Sequence, residues 1–461
     1  VDYEEFLRNK SQVSGMSGFE PTFMPEVMFP FQKHLTEWAV RKGRAVLLED
    51  CGLGKTLQEL VFAENCVRKT NRPALILTPL AVAAQTVREA DKFGIEAHQS
   101  RNGKPANNIT VTNYESLHKF DEADFSCVVG DEISCLKAFD GKRRKQVTRF
   151  MSKMPYRLGG TATAAPNDFI ELGTISEALG EMTQSDMLGT FFKSCDKKRH
   201  SLFKEGDFWN RAKYFFRAHS EEPFWRWVCS WAKAARSPHD VGFDDDRFVL
   251  PELIVTQQVV PTTFRFNGEL FVRIATTLKE QREERRRSME QRCEMAAKLV
   301  DHKEPAIVWC QYNEEGDRLE KLIPGAVQVA GCNSDEEKAE RLNGFATGEF
   351  RVLVTKPKIG AYGMNYEHCG HQTFFPSHSF EQWYQCIRRS LRFGRVGPVR
   401  VDVVATEGEA GVTENLQKKG RKADEMFTNL VRYMNQSQSV KIVNHHVNEM
   451  GVPQWLSSSK N

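Results

Sequence analysis

Residues Asp50-Cys51-Gly52-Leu53-Gly54-Lys55-Thr56 follow the apolar run Ala45-Val46-Leu47-Leu48 and open into a helical pattern. A strand leading into a Gly-rich turn, with a helix behind it, aims backbone N–H groups and the positive end of the helix at one point, which is the layout that holds phosphate. In that layout Gly52 and Gly54 make the turn, Lys55 reaches the β and γ phosphates, and Thr56 holds magnesium. The stringent form of the pattern has Gly where this chain has Glu49, so the loop on its own also reads as an ordinary turn. Downstream, the apolar run Cys127-Val128-Val129-Gly130 ends in Asp131-Glu132. An acidic pair at a strand end can set Asp131 on the metal held by Thr56, with Glu132 beside it to orient water; alone, it equally caps a helix starting near Ser134. Phosphoryl transfer needs positioning and charge neutralisation more than covalent chemistry, so a lysine, a hydroxyl and two carboxylates suffice.

A third group lies far along the chain, in Gln385-Cys386-Ile387-Arg388-Arg389-Ser390-Leu391-Arg392-Phe393-Gly394-Arg395. Arg389 and Arg392 are three apart and share a face of a helix and its exit turn. Two guanidiniums so placed can clamp a γ phosphate from across a cleft, as an arginine finger supplied within the chain. A basic surface helix or a grip on a phosphate backbone uses the same residues.

These groups need elements to position them. At 461 residues the chain has material for roughly three domains. Lys and Arg total 64 against 61 Asp and Glu, a net charge of +3, so any polyanion site must come from local clustering. The 11 cysteines include no C-x-x-C pair, which fits reduced thiols and a cytoplasmic protein. No apolar run is long enough to span a bilayer and the start is acidic, so neither a membrane segment nor a secretory signal is expected. Short apolar runs alternate with helical patterns, which predicts parallel sheets covered on both faces. The expected organisation is a polar tail (1–25), a first α/β lobe (26–175), a helical insertion (176–250), a second α/β lobe (251–410), and a C-terminal helix and tail (411–461). The insertion concentrates Trp209, Phe215, Phe216, Phe224, Trp225, Trp227 and Trp231; aromatics at helical spacing pack as core, with a base-stacking platform as the alternative.

Taken together, these residues resemble the motif series of superfamily 2 helicases, nearest the Swi/Snf-type translocase branch and the DEAD/DEAH-like helicases of bacteriophages. Glu49 to Thr56 resembles motif I of that branch, which does not require the first Gly. Gln32, in Phe29-Pro30-Phe31-Gln32, resembles the upstream element that reads adenine. Thr78-Pro79-Leu80 resembles motif Ia, and Thr112-Asn113-Tyr114-Glu115 a further strand-contacting motif. Gly130 to Ser134 resembles motif II, with Ile133-Ser134 replacing side chains that relay to motif III in other branches. Thr161 and Thr163 lie in a motif III-like run, Gln311 and Tyr312 where motif IV falls, Gly363 within a motif V-like segment, and Gln385 to Arg395 in motif VI.

The resemblance implies two tandem RecA-like lobes and a nucleic-acid-dependent ATPase using ATP and Mg2+. In it Lys55, Asp131, Glu132, Arg389 and Arg392 are catalytic, Gln32, Gly52, Gly54, Lys55, Thr56 and Gly363 bind nucleotide, and Thr56 and Asp131 hold the metal. Thr78, Pro79, Thr112, Tyr114, Gln311 and Tyr312 face nucleic acid, and Thr161, Thr163 and Gln385 couple the two functions. The implied function is an ATP-dependent DNA helicase or translocase, acting on duplex or single-stranded DNA in phage replication or recombination, with partners from those processes, in the host cytoplasm. An RNA helicase, the motor subunit of a restriction or defence complex, and a nucleotide sensor without turnover share most of these residues. The basic run Lys142-Arg143-Arg144-Lys145 is a further candidate for duplex contact or a solvated helix face. His368-Cys369-Gly370-His371 has ligand residue types at a spacing too tight to wrap one zinc.

Overall fold

The computed structural model describes residues 15–79, 82–137, 141–163, 169–194, 214–261, 278–361, 364–377, 379–406 and 409–448. Leu80, Trp209 and Gly363, and the first fourteen residues of the polar tail, lie outside these.

The first lobe carries strands β1 (Arg44–Glu49), β2 (Ala74–Thr78), β3 (Ala97–Gln99), β4 (Ile109–Asn113), β5 (Cys127–Asp131) and β6 (Tyr156–Gly160). After a short antiparallel pair, β7 (Phe192–Ser194) with β8 (Tyr214–Phe216), comes β9 (Ala232–Ala235). Seven strands form one parallel sheet in the order β3-β4-β2-β5-β6-β1-β9. The second sheet, also parallel, has β10 (Leu253–Val260), β11 (Ala306–Trp309), β12 (Ala326–Val329), β13 (Val352–Thr355), β14 (His371–Phe374) and β15 (Val399–Thr406), in the order β10-β15-β14-β11-β13-β12. These are two tandem RecA-like lobes.

Each sheet is covered on both faces because central strands such as Ala74–Thr78 and Ala306–Trp309 carry continuous apolar runs, and the pleat sends alternate residues to opposite sides. In the first lobe Val46, Leu48, Leu75, Leu77 and Val128 enter one core, while Ala45, Leu47, Ala74, Ile76, Cys127 and Val129 enter the other. The second lobe repeats this, with Ile307, Trp309 and Leu353 on one side and Ala306, Val308, Val352 and Val354 on the other.

Most of the described aromatics of the aromatic segment pack as core, whereas Phe215, on β8, is 50% exposed. Phe224, Trp225, Trp227 and Trp231, on the helix Glu221–Trp231, are buried in the first lobe, and the chain leaves that helix as β9 to pair with β1. This segment therefore completes the first sheet as well as covering it. After β15 the helix Ala410–Asn448 returns to the first lobe, burying Met426, Phe427 and Leu430 in the same core as the tryptophans. No helix among the described residues is long and apolar enough to cross a membrane.

Candidate active site

Parallel sheets place their functional groups at the carboxyl ends of the strands, and β1, β6 and β5 are neighbours in that order. The register pairs Leu47 with Gly160 and Gly160 with Asp131, and the Thr161 N–H donates to Leu47 O at 3.1 Å. The Gly-rich loop, the acidic pair and Thr161 thus converge without side-chain help.

The loop needs its glycines. Gly54 has φ +82°, and a Cβ there would lie 2.3 Å from Gln32 Nε2. Gly52 has φ +92°, with the Phe393 ring of the second lobe 3.0 Å from where its Cβ would be. Gln32 is held between the Phe29 N–H, which donates to its Oε1 at 3.0 Å, and Leu53 O, to which it donates at 2.8 Å. Lys55 Nζ donates to Glu49 O (2.8 Å) and Asp50 O (3.0 Å), in the mouth of the loop. Glu49, the departure from the stringent pattern, ends β1 and accepts from Gln58 at 2.7 Å, tying the strand to the first turn of the helix Lys55–Thr70.

Beneath the loop lies a set of buried acids. Burial pushes Glu49 up to about 7, with Lys55 opposing. Burial and the adjoining Glu132 raise Asp131 to about 7, with Lys55 and Arg389 opposing. Burial, then Asp131, hold Glu59 well above the ordinary carboxylate range. One oxygen each of Glu49 and Glu59 is buried without a hydrogen-bond partner. Hard oxygen donors with unmet acceptors beside a lysine and a threonine have the chemistry that a divalent cation bound with phosphate would use, and Thr56 and Asp131 are the residues that would hold it.

Glu132 has φ +54°, a left-handed conformation uncommon for a residue with a side chain. That turn takes its carboxylate off the strand and into a ring of donors: the Thr161 and Ser134 hydroxyls, the Thr163 hydroxyl at 3.5 Å, and Gln385 Nε2 of the second lobe at 3.1 Å. Ser134 also contacts Glu381 of the second lobe at 3.1 Å. Thr161 thus reaches Glu132 directly, and Ser134 adds a link across the cleft.

The second lobe approaches through the helix Phe380–Ile387 and the turn after it. Arg389 is buried and donates to Gln385 Oε1 (2.7 Å), Gln385 O (3.1 Å) and Met364 O (3.2 Å). Arg392 donates to Arg388 O (3.3 Å) and Met364 O (3.5 Å). Both guanidiniums therefore converge on one carbonyl of their own lobe, and the Arg389 charge, after that of Lys55, opposes the rise at Asp131. Burial, then the neighbouring Arg389, pull Arg392 down to about 10, so it stays charged near neutrality.

Several residues expected at the nucleic-acid face belong to the interior. Tyr114 is 3% exposed and donates to Asp131 O at 2.7 Å, bracing the end of β5 from below. Thr112 and Thr78 are fully buried, the Thr78 hydroxyl bonding Pro79 O at 3.1 Å. A side chain so enclosed cannot touch a strand of nucleic acid, so Thr78, Thr112 and Tyr114 are corrected to structural roles. Pro79, Gln311 and Tyr312 remain partly exposed at strand ends. In the basic run, Arg143 pairs with Glu115 and Arg144 donates to Gln184 at 2.9 Å. His371 bonds Asp402 and His302, each at 2.7 Å.

Asp50, Glu381, Tyr384 and Arg388, to which the motifs assign no role, also take part in the site. Glu381, Tyr384, Gln385 and Arg388 have the i, i+3, i+4, i+7 spacing of one helix face, a polar stripe visible in the sequence. All four touch the first lobe: Tyr384 OH donates to Asp50 Oδ1, and Arg388 forms an ion pair with Asp50 Oδ2.

The fold and this site define a two-lobed α/β protein with a phosphate-loop geometry closed from above by its second lobe. No protein-family model matches the sequence. Over 212 residues, 39% of this chain, it is 28% identical to the SWI/SNF-related matrix-associated actin-dependent regulator of chromatin subfamily A-like protein 1 homolog of Caenorhabditis elegans, and the match spans 30% of that protein. The Sulfolobus solfataricus SWI2/SNF2 ATPase core, solved in complex with dsDNA, aligns with 91% of this chain and 97% of its own at 16% identity and a TM-score of 0.41.

Proposed function

We propose that the protein is a magnesium- and ATP-dependent DNA translocase. The observation that carries this reading is the Gln385 to Glu132 contact across the cleft, which joins the acidic strand end of one lobe to the arginine-bearing helix of the other. The sequence likeness to a SWI/SNF-related protein supports the same reading.

In this reading Gln32 contacts the base, Lys55 leaves its backbone carbonyls for the β and γ phosphates, and Thr56 with Asp131 holds magnesium. Bound magnesium supplies charge neutralisation on the phosphate oxygens. Glu132 orients a water and takes its proton as the water oxygen bonds to the γ phosphorus; the bond to the β–γ bridging oxygen breaks, and ADP leaves with that electron pair. Arg389 and Arg392 exchange their carbonyl partners for the charge developing on the transferring group. Thr161 and Thr163, bonded to Glu132, and Gln385 carry the state of the site to the lobes, whose closing and opening steps the protein along DNA. Pro79, Gln311, Tyr312 and the Lys142–Lys145 run face phosphates rather than bases, giving sequence-independent tracking.

Steady-state ATP hydrolysis by wild type, Lys55→Ala and Arg392→Ala, with and without single-stranded DNA, duplex DNA and RNA, tests the proposal. Hydrolysis by wild type, stimulated by DNA and lost in both variants, is the expected result. Stimulation by RNA alone, or by no nucleic acid, overturns it.

A further inference from the structure

Asp50 stands at the entrance of the Gly-rich loop and is 3% exposed. Its Oδ1 accepts from the Cys51 N–H at 2.6 Å and from Tyr384 OH, and its Oδ2 pairs with Arg388, itself 4% exposed. Its backbone carbonyl accepts from Lys55 Nζ at 3.0 Å. One residue thus joins the amine destined for the phosphates to the second lobe.

Two buried charges are costly to desolvate and are tolerated only where each satisfies the other. Asp50 has no cationic side chain of its own lobe bonded to its carboxylate among the described residues, and the charge that answers it comes from across the cleft. Separating the lobes would leave both ions without their partner. Arg388 directly precedes Arg389 in the chain, so whatever fixes Arg388 on the loop also fixes where the next guanidinium falls. Arg388 is spent on this contact: its Nε reaches Tyr384 OH at 3.4 Å and its Nη1 reaches Leu391 O at 3.4 Å.

We infer that Asp50, Arg388 and Tyr384 form an interlobe register pin, a set of positioning residues that seats the second-lobe helix on the Gly-rich loop and so sets Arg389 and Arg392 opposite the γ phosphate. The inference rests on the proposed ATPase reading for its effect on rate, and on geometry alone for its effect on closure. The pin touches neither the transferring phosphate nor the water. Its loss lowers the rate of the chemical step and leaves nucleotide binding by the first lobe largely in place.

The test uses the full chain as wild type, Asp50→Asn, Arg388→Ala, the double variant, and the milder Tyr384→Phe and Arg388→Lys, each checked for native circular dichroism. Small-angle scattering without nucleotide reads closure, and ATP hydrolysis reads positioning. Asp50→Asn and Arg388→Ala are expected to enlarge the radius of gyration and to lower kcat by about tenfold or more while KM for ATP moves by less than about threefold. The double variant should be no worse than either single one, because the two residues act as a unit. Arg388→Lys should restore part of both readouts. The inference is overturned if the single variants keep wild-type dimensions and kcat, or if the double loss equals the product of the single losses. Should Arg388→Ala or Asp50→Asn fail to fold, Tyr384→Phe and Arg388→Lys decide by the same two readouts. If wild type hydrolyses no ATP, the proposed function fails, while scattering from the same proteins still decides the pin.

Discussion

Gln385 holds Arg389 and Glu132 at its two ends: its Oε1 accepts from Arg389 at 2.7 Å and its Nε2 donates to Glu132 at 3.1 Å. One amide therefore aligns a cation of the second lobe with an acid of the first. A carboxylate in its place cannot donate, and it would set a like charge against Glu132. Gln385→Glu is expected to lower kcat by about ten- to a hundredfold with little change in KM for ATP. Gln385→Ala should fall between that variant and wild type. A steady-state titration of ATP at saturating DNA measures both.

The acids under the loop make stability depend on pH in an unusual direction. Glu49 and Asp131 are raised to about 7, and Glu59 is raised too, chiefly by burial. Unfolded carboxylates titrate near about 4. Between these limits the folded protein binds more protons than the unfolded chain, so their contribution to stability is present at the acid end and lost as pH rises through about 7. Without nucleotide, Tm is expected to be higher near about pH 6 than near about pH 8. Glu59→Gln, which cannot ionise, should flatten that slope. Calorimetric melts across the range check both.

Much of this was legible in the residues, and the parts that were not have definite causes. The two sheets were readable because buried parallel strands are continuous apolar runs, as in Ala45 to Leu48 and Ala306 to Trp309. The Gly-rich loop was readable because its backbone admits few residue types. The Ala232–Ala235 strand was hidden, since Ala-Lys-Ala-Ala has no β-branched residue and forms a strand only because β1 lies beside it. Thr112 and Tyr114 carry the types expected at a nucleic-acid face, but the pairing of β4 in the sheet and the Tyr114 bond to Asp131 O, both long-range contacts, turn them inward. The pairing of Arg388 with Asp50 joins the two lobes, and no local pattern in either segment specifies it.

Arg292 and Glu315 form a buried ion pair at 2.8 Å in the second lobe. Glu315 Oε2 also accepts from the Gln311 and Tyr312 N–H groups at 2.8 and 3.0 Å, so the pair anchors the turn that carries both residues. Removing Arg292 leaves a carboxylate buried without its cation. Arg292→Ala is expected to cost about 3–5 kcal/mol in denaturant unfolding. Adding Glu315→Gln should recover part of that loss, because a neutral amide has less to lose from burial. Weaker DNA stimulation of ATP hydrolysis should accompany the single variant.

The helix Ala410–Asn448 begins after the last strand of the second sheet and lays Gly420 against Phe380 of that lobe, yet further along its buried face enters the first lobe. Met426, Phe427 and Leu430 pack with the tryptophans of Glu221–Trp231, Asp424 pairs with Arg236 at 3.0 Å, and Leu430 O accepts from Cys229 Sγ at 3.7 Å. Leu430 is 1% exposed, so truncating it opens a cavity between that helix and the aromatic core. Leu430→Ala is expected to cost about 2–5 kcal/mol. The loss should fall on the first lobe, although the helix follows the second in sequence. Hydrogen exchange distinguishes the two: protection should drop in Glu221–Trp231 and β9 while β11, β13 and β14 keep theirs. Equal loss in both sheets would mean that the helix stabilises the second lobe as much as the first.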